Sequence, residues 1–479
     1  MALRTGAEFL KSLCDDREVW LEGTRVDVLT HPSLAPCVRA IADVYDLQCD
    51  PRYRDALTMP SPTTGEPVSL AYRLPRSTDD LVQRRNMIEL LARRSGGAMG
   101  RLPEYMATIL MGLYNASDIL GGVDPAYARR VAEYFEYCRE QDLCLTHAFG
   151  DPPRSRGHPS EDFEPLHVVE RRATGIVIRG VKAVATLAPF ANEYVGMTAP
   201  RPDLRPEEVL YFGIPVATPG LRIVCREPFT NPDKGDHPLS AAFDEMDAWI
   251  VFDDVFVPED RVFFLDRPDL NTQIFAAVPS AWAYYHILIR QAVKAEVLAG
   301  ICVGMGEYLG TSKEPFMQNA VAELLGYLET LRAFIFAAER QPQFSALGLA
   351  VPLPTYTILG RIYAMENHPR MLQLLREVCG PGLLMSPSAA DIASPEIGPA
   401  VHRYLVGKDD RAPERFRLLK LAWDLTGDSF GGRQQLFEMY NAGSLALNHA
   451  RFTSSYDTAP LVHLAKELAG ISAPDRLSS

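Results

Sequence analysis

HVVERRATGIVIRGVKAVAT, residues 167–186, breaks the texture of the chain. β-Branched residues crowd it, and Gly175 and Gly180 punctuate it. Similar runs follow at Val209-Leu210-Tyr211-Phe212, Leu221-Arg222-Ile223-Val224 and Trp249-Ile250-Val251-Phe252, with Gly, Pro and Asp between them. Side chains branched at Cβ pack well on a pleated surface, so these segments predict the strands of a compact antiparallel β-domain, with bounds set at 146–270.

Outward from this block the periodicity is helical on both sides. Before it, Asp124-Pro125 opens a segment in which Tyr127, Val131, Tyr134, Phe135 and Cys138 fall on one face. Asp caps a helix and Pro suits its first turn. Two more helices are expected at 78–95 and 103–119, separated by Gly96-Gly97. Residues 1–145 therefore read as an N-terminal helical domain. After the block, long helical patterns at 273–309, 315–340, 356–378, 413–426 and 431–449 make 271–479 a C-terminal helical bundle with a surface suited to oligomerisation. Helices, then strands, then helices make an α+β chain unlike the βαβ alternation of a doubly wound sheet. The order is similar to the acyl-CoA dehydrogenase-like fold, in which a flavin lies between the β-domain and the helices.

Composition narrows the partners. A net charge of -13 disfavours nucleic acid or anionic lipid as a partner, since binding phosphates requires a basic surface, and leaves room only for local basic clusters. No stretch reaches the roughly 18 apolar residues of a membrane span. The opening MALRTGAEFLKSLCDD has acidic residues where a secretory leader needs an apolar run, so a cytoplasmic location is expected. The eight cysteines are scattered without the spacing of a metal site, and they read as buried thiols in a reducing compartment. No metal site is expected. Gly304-Met305-Gly306-Glu307-Tyr308-Leu309-Gly310 lies inside a helical pattern with the wrong final spacing for a dinucleotide fingerprint, so no nicotinamide module is present in the pattern.

Six segments, in order along nearly the whole chain, carry a family resemblance: TGAEFLKSL (5–13), GGAMGRLPEYM (96–106), QDLCLTHAFGDPP (141–153), GIVIRGVKAVATLAPFANEY (175–194), HPLSAAFDEMDAWIVFDDVFVPEDRVF (237–263) and FGGRQQLFEMYNAGS (430–444). Together they resemble the 4-hydroxyphenylacetate 3-monooxygenase oxygenase-component family. The resemblance implies a homotetramer or homodimer that receives reduced FAD, in preference to FMN, from a separate NAD(P)H-flavin reductase. It implies a C4a-hydroperoxyflavin formed with oxygen, and hydroxylation of a phenolic small molecule ortho to its hydroxyl. It also implies that Arg101, Tyr105 and His147 surround the phenolic oxygen.

The chemistry suits those residue types. A ring attacks an electrophilic oxygen better as phenolate than as phenol, so a proton acceptor and a fixed cation beside the oxygen lower the barrier. His147 supplies the first, Arg101 the second, and Tyr105 orients the ring. Were the helix begun by Pro103 to reach back to Arg101, Arg101 and Tyr105 would share one face at i, i+4 spacing.

For the flavin, the resemblance implies contacts from Arg154, Ser155 and Arg156, from Thr186 beside N5, and from the turn Gly443, Ser444 and Leu445. Pro153 stands where relatives often carry glutamine, and it has no amide to offer. At the far end of the substrate Thr198 is the hydroxyl candidate, in a loop reading Met197-Thr198-Ala199-Pro200. That loop leaves open which phenol binds, and whether it is free or tethered to a carrier.

Three competing readings fit the sequence less well. A redox-neutral dehydratase of the same fold needs several thiolates converging on an iron–sulfur cluster, and no cysteine lies near Arg101. A conventional acyl-CoA dehydrogenase lacks the GRxPxY and THA segments. A catalytically silent binding subunit has no use for Arg101, Tyr105, His147 and Thr186 together.

Overall fold

The computed structural model describes residues 3–152, 164–406 and 411–471. In the N-terminal segment, α1 (Thr78–Arg94), α2 (Pro103–Asn115) and α3 (Pro125–Gln141) form the first layer. The Asp124 carboxylate caps α3 by accepting from the Ala126 N–H at 2.8 Å, and Val131, Tyr134, Phe135 and Cys138 are buried. Every residue of α2 from Glu104 to Leu113 is buried, as befits a helix packed on all sides.

The strands of the two larger sheets are β1 (Glu18–Leu21), β2 (Thr24–Arg25), β3 (Leu145–Ala148), β4 (His167–Arg172), β5 (Gly175–Thr186), β6 (Glu193–Gly196), β7 (Leu210–Pro215), β8 (Leu221–Cys225), β9 (Asp247–Pro258) and β10 (Val262–Leu265). One sheet has the order β2-β1-β8-β9-β5-β4 and the other β10-β7-β6-β3. The pairing is antiparallel except at two joins. β1 runs parallel to β8, with Glu18 opposite Arg222, and β3 runs parallel to β6, with His147 opposite Val195. Both exceptions are strands reaching the sheets from the helical segment, so no hairpin constrains their direction. The long β5–β9 pair sets Thr186 opposite Asp247.

A four-residue helix, α4 (Ser240–Phe243), precedes β9. Beyond β10 come α5 (Pro268–Ala281), α6 (Ala283–Leu309), α7 (Pro315–Arg340), α8 (Pro354–Cys379), α9 (Ala412–Thr426), α10 (Ser429–Tyr440), α11 (Leu445–Ser455) and α12 (Ala459–Leu468). Two helical patterns that read as continuous are each broken. The 273–309 pattern divides at Trp282, whose indole N–H donates to the Ala350 carbonyl at 3.1 Å. The 431–449 pattern divides at 441–444, where Gly443 has φ +91°, a left-handed conformation that glycine adopts without Cβ strain. Among the described residues no helix is long and apolar enough to cross a membrane.

Candidate active site

α2 begins at Pro103, so Arg101 lies just before the helix instead of on it. It meets Tyr105 all the same, because the chain turns back at Leu102 and sets the guanidinium carbon 3.9 Å from the centre of the Tyr105 ring. On its other side the guanidinium stands 5.1 Å from the Phe437 ring. Gly100 makes this possible, since a Cβ there would lie 2.3 Å from a Phe437 ring carbon. The Arg101 Nη atoms donate to the Gly100 carbonyl at 3.0 Å and the Asn441 carbonyl at 2.8 Å, and the backbone N–H donates to Glu245 Oε1 at 2.5 Å. Held between two rings, the cation is fixed in place before any ligand arrives.

His147, on strand β3, lies 5.8 Å from Tyr105 ring to ring, with Phe149 stacked on its other face at 4.4 Å. The residue is only half-buried, yet both ring nitrogens are sealed from solvent and have no hydrogen-bond partner among the described residues. Burial, then repulsion from Arg101, lowers its pKa to about 3. The imidazole is therefore neutral, with one nitrogen able to accept a proton. Thus Arg101, Tyr105 and His147 converge as their residue types require.

A second imidazole, which the sequence offers only as half of an incomplete His286 and Cys302 ligand set, also reaches the site. His286, on α6, packs edge-on to Tyr105 at 5.1 Å, and its Nε2 lies 3.2 Å from Glu104 Oε1. The other atoms of this pair, His286 Nδ1 and Glu104 Oε2, are buried without partners among the described residues. The two residues stand 182 positions apart, so no local spacing announces them.

Thr186 closes β5. Its hydroxyl donates to Asp247 Oδ1 at 2.7 Å, which leaves the oxygen's lone pairs free to accept. Asp247 also receives Arg433 Nε at 2.8 Å and Nη2 at 2.7 Å, and Arg226 Nε at 3.0 Å. Burial alone would raise this carboxyl, but Arg433 and then Arg226 outweigh it and hold it well below the ordinary carboxylate range. The turn with Gly443, Ser444 and Leu445 begins at Asn441, whose carbonyl Arg101 holds, and the Ser444 hydroxyl caps α11 by accepting from the Leu447 N–H at 3.3 Å.

Other candidates fare differently. The Thr198 hydroxyl is engaged with the β7 backbone, donating to the Glu208 carbonyl at 2.8 Å and accepting from the Leu210 N–H at 3.2 Å. Its sequence neighbourhood gave no sign of this structural use. Arg154, Ser155 and Arg156, with Pro153, lie outside the described residues.

Buried polar atoms without partners among the described residues include Arg101 Nε, Gln434 Nε2 and Asn441 Oδ1 beside those of His147, His286 and Glu104. Unmet donors and acceptors are costly in a dry interior, so the region is built for a ligand that offers both. A flavin head group, with its ring carbonyls and N–H groups, fits that requirement.

Fold and site together define a helix–sheet–helix chain whose buried arginine and tyrosine, with two histidines, surround a region suited to a flavin. Comparison with known proteins narrows the class. The profile for the 4-hydroxyphenylacetate 3-hydroxylase N terminal matches residues 5–264, and that for the C terminal matches residues 272–470. A 4-hydroxyphenylacetate 3-monooxygenase oxygenase component of Thermus thermophilus is 34% identical, with 95% of each chain covered. A 4-nitrophenol 4-monooxygenase/4-nitrocatechol 2-monooxygenase oxygenase component of Rhodococcus opacus is 33% identical over 100% of this chain and 93% of its own. A solved oxygenase component of 4-hydroxyphenylacetate 3-monooxygenase, complexed with FAD and 4-hydroxyphenylacetate, superposes with TM-score 0.92 at 33% identity, covering 98% of both chains. The chain belongs to the 4-hydroxyphenylacetate 3-hydroxylase family.

Proposed function

We propose that this protein hydroxylates a phenol ortho to its hydroxyl, with Arg101, Tyr105 and His147 around the phenolic oxygen and FAD, delivered reduced by a separate NAD(P)H-flavin reductase, on the Thr186 side. The observation that carries this reading is the His147 ring, both nitrogens sealed and without a hydrogen-bond partner among the described residues, 5.8 Å from the Tyr105 ring over which the Arg101 cation is fixed. Reduced FAD, when bound, supplies the electrons with which dioxygen is divided between the ring and water.

The chain's own groups prepare the substrate. The phenol O–H donates to one neutral His147 nitrogen, which draws on its proton while the neighbouring cation favours negative charge on the oxygen. Arg101, whose Nε is unpartnered, donates to that oxygen and stabilises it. Tyr105 packs on the ring and sets its angle. The His286–Glu104 pair, on the far side of Tyr105, offers a second place for a proton. Thr186, with its proton committed to Asp247, accepts from a flavin N–H. Gly443, Ser444 and Leu445 would line the same cofactor, for which the family resemblance also names Arg154, Ser155 and Arg156, outside the described residues. Thr198 contributes wall rather than a free hydroxyl at the substrate's far end. Diversity among the relatives, which act on 4-hydroxyphenylacetate and on 4-nitrophenol, supports a phenol class wider than one acid, free or carrier-tethered.

The working assembly is a homotetramer or homodimer in the cytoplasm. Helix α12 supports self-association, since none of its described residues is buried by its own chain and Leu461, Val462, Leu464 and Leu468 are exposed.

The test is His147→Ala with chemically reduced FAD, oxygen and a panel of phenols, read by mass spectrometry. We expect catechol to fall at least about a hundredfold, the scale of a lost acid–base group, while hydrogen peroxide still forms. Catechol yield equal to the parent's removes His147 from the reaction. A parent protein that needs NADH without a reductase overturns the two-component reading.

A further inference from the structure

One guanidinium spans both halves of the site. Arg433, on α10, spends Nε and Nη2 on Asp247 at 2.8 and 2.7 Å, and Nη1 on Glu245 Oε2 at 3.2 Å. Each carboxylate has a second client. Asp247 takes the Thr186 hydroxyl proton at 2.7 Å. Glu245 Oε1 takes the backbone N–H of Arg101 at 2.5 Å. Arg433 also lies 4.4 Å from the Phe437 ring whose neighbourhood Arg101 shares.

We infer that Arg433 is a positioning residue that fixes the cofactor-facing hydroxyl of Thr186 through Asp247 and the substrate-facing Arg101 through Glu245, so that both halves keep one registration. This rests on the placement of flavin and phenol given above. Burial of two of the three charges makes the arrangement hard to deform: Glu245 is wholly enclosed and Arg433 nearly so, while the partly buried Asp247 has a cation on each carboxylate oxygen. Transfer of an oxygen atom between two bound rings tolerates little error, since misplacement by about 1 Å is enough to cost two orders of magnitude. The device differs from a purely structural ion pair because its two arms end on different ligands.

Three variants separate the arms: Asp247→Asn, Glu245→Gln and Arg433→Lys, each checked for a parent-like thermal melt. The first measurement uses 4-nitrophenol, whose ionisation is visible in its absorbance, bound to the protein without flavin. Glu245→Gln and Arg433→Lys should weaken it about fivefold, and Asp247→Asn should leave it within twofold. The second is anaerobic titration with reduced FAD, which Asp247→Asn and Arg433→Lys should weaken about fivefold and Glu245→Gln should not. The third is the ratio of catechol to hydrogen peroxide, which all three should lower. Addition of either carboxamide to Arg433→Lys should do little more, because members of one unit are not additive.

If Asp247→Asn and Glu245→Gln disturb both ligands alike, or their effects add in full to Arg433→Lys, the assignment is overturned. Should Arg433→Lys fail to fold, the two carboxamides decide, since each breaks one arm and keeps the arginine. Failure of the parent to bind 4-nitrophenol or to form any catechol counts against the hydroxylase reading itself. The flavin arm is still read in that event, through the titration.

Discussion

At the scale of single residues, the site is defined by groups that have not found partners. His147 carries the clearest cost. With its pKa lowered to about 3 from an ordinary 6.5, the folded state refuses a proton that the unfolded chain accepts. The sign follows: below pH 6.5 stability falls as pH falls, by about 1.4 kcal/mol per unit, until the folded group titrates in turn near 3. His147→Phe removes this dependence. Between neutrality and about pH 4.5 the parent should lose roughly 2 kcal/mol more than the variant, measured by urea unfolding at a series of pH values. Equal losses would mean that His147 takes up protons in the folded state as readily as in the unfolded one. These residues were legible in unequal degree. Arg101, Tyr105 and His147 are given roles by the family resemblance, whereas Glu245 and Asp247, in FDEMDAW of the equally matching 237–263 segment, are given none. Their partner Arg433 is 186 residues from Asp247, and no spacing rule reaches that far.

At the scale of elements, the site depends on how short segments are anchored. The 237–240 segment that leads into α4 is tied to α9 by a single fully buried carboxylate. Asp424 accepts from the Leu239 N–H at 2.6 Å, the Ser240 N–H at 3.0 Å and the Ser240 hydroxyl at 3.1 Å, with His237 Nδ1 also 3.1 Å away. α4 then delivers Glu245 and Asp247 to the site. Asp424→Ala leaves buried donors without an acceptor, so a loss of about 3 kcal/mol is expected, together with weaker binding of reduced FAD. Chemical denaturation gives the first quantity and anaerobic titration the second. A variant as stable as the parent would deny this anchor its role. The long elements announced themselves by periodicity, as with α3 and α7. The break at Trp282 did not, because a buried indole seeking a carbonyl is a tertiary demand on a pattern that looks continuous, whereas the one at 441–444 is marked by Gly443, which reads as a cofactor turn or an interruption between helices.

At the scale of the whole molecule, the order of helices, strands and helices was readable because the period of the apolar residues changes where the sheets begin. The two parallel joins were hidden, since pairing partners leave no mark on a strand's own sequence. Assembly is the remaining property at this scale. α12 is amphipathic and has no described residue buried by its own chain, so its apolar side chains need another surface. Deletion from Tyr456 onward should lower the solution mass of the protein to that of a smaller assembly or a monomer, measured by light scattering, with the monomer's melt little changed. An unaltered mass would place the self-association surface elsewhere.

The pairing of β1 with β8 also governs how the protein can be made. Glu18 and Arg222 are 204 residues apart, so on a ribosome adding about 5–20 residues per second the first strand waits roughly ten to forty seconds for its neighbour. Throughout that interval the nascent chain presents Val19 and Leu21 on an unpaired edge. Prematurely terminated products therefore keep a sticky edge permanently, and the organism's chaperones, rather than the mature fold, must shield it.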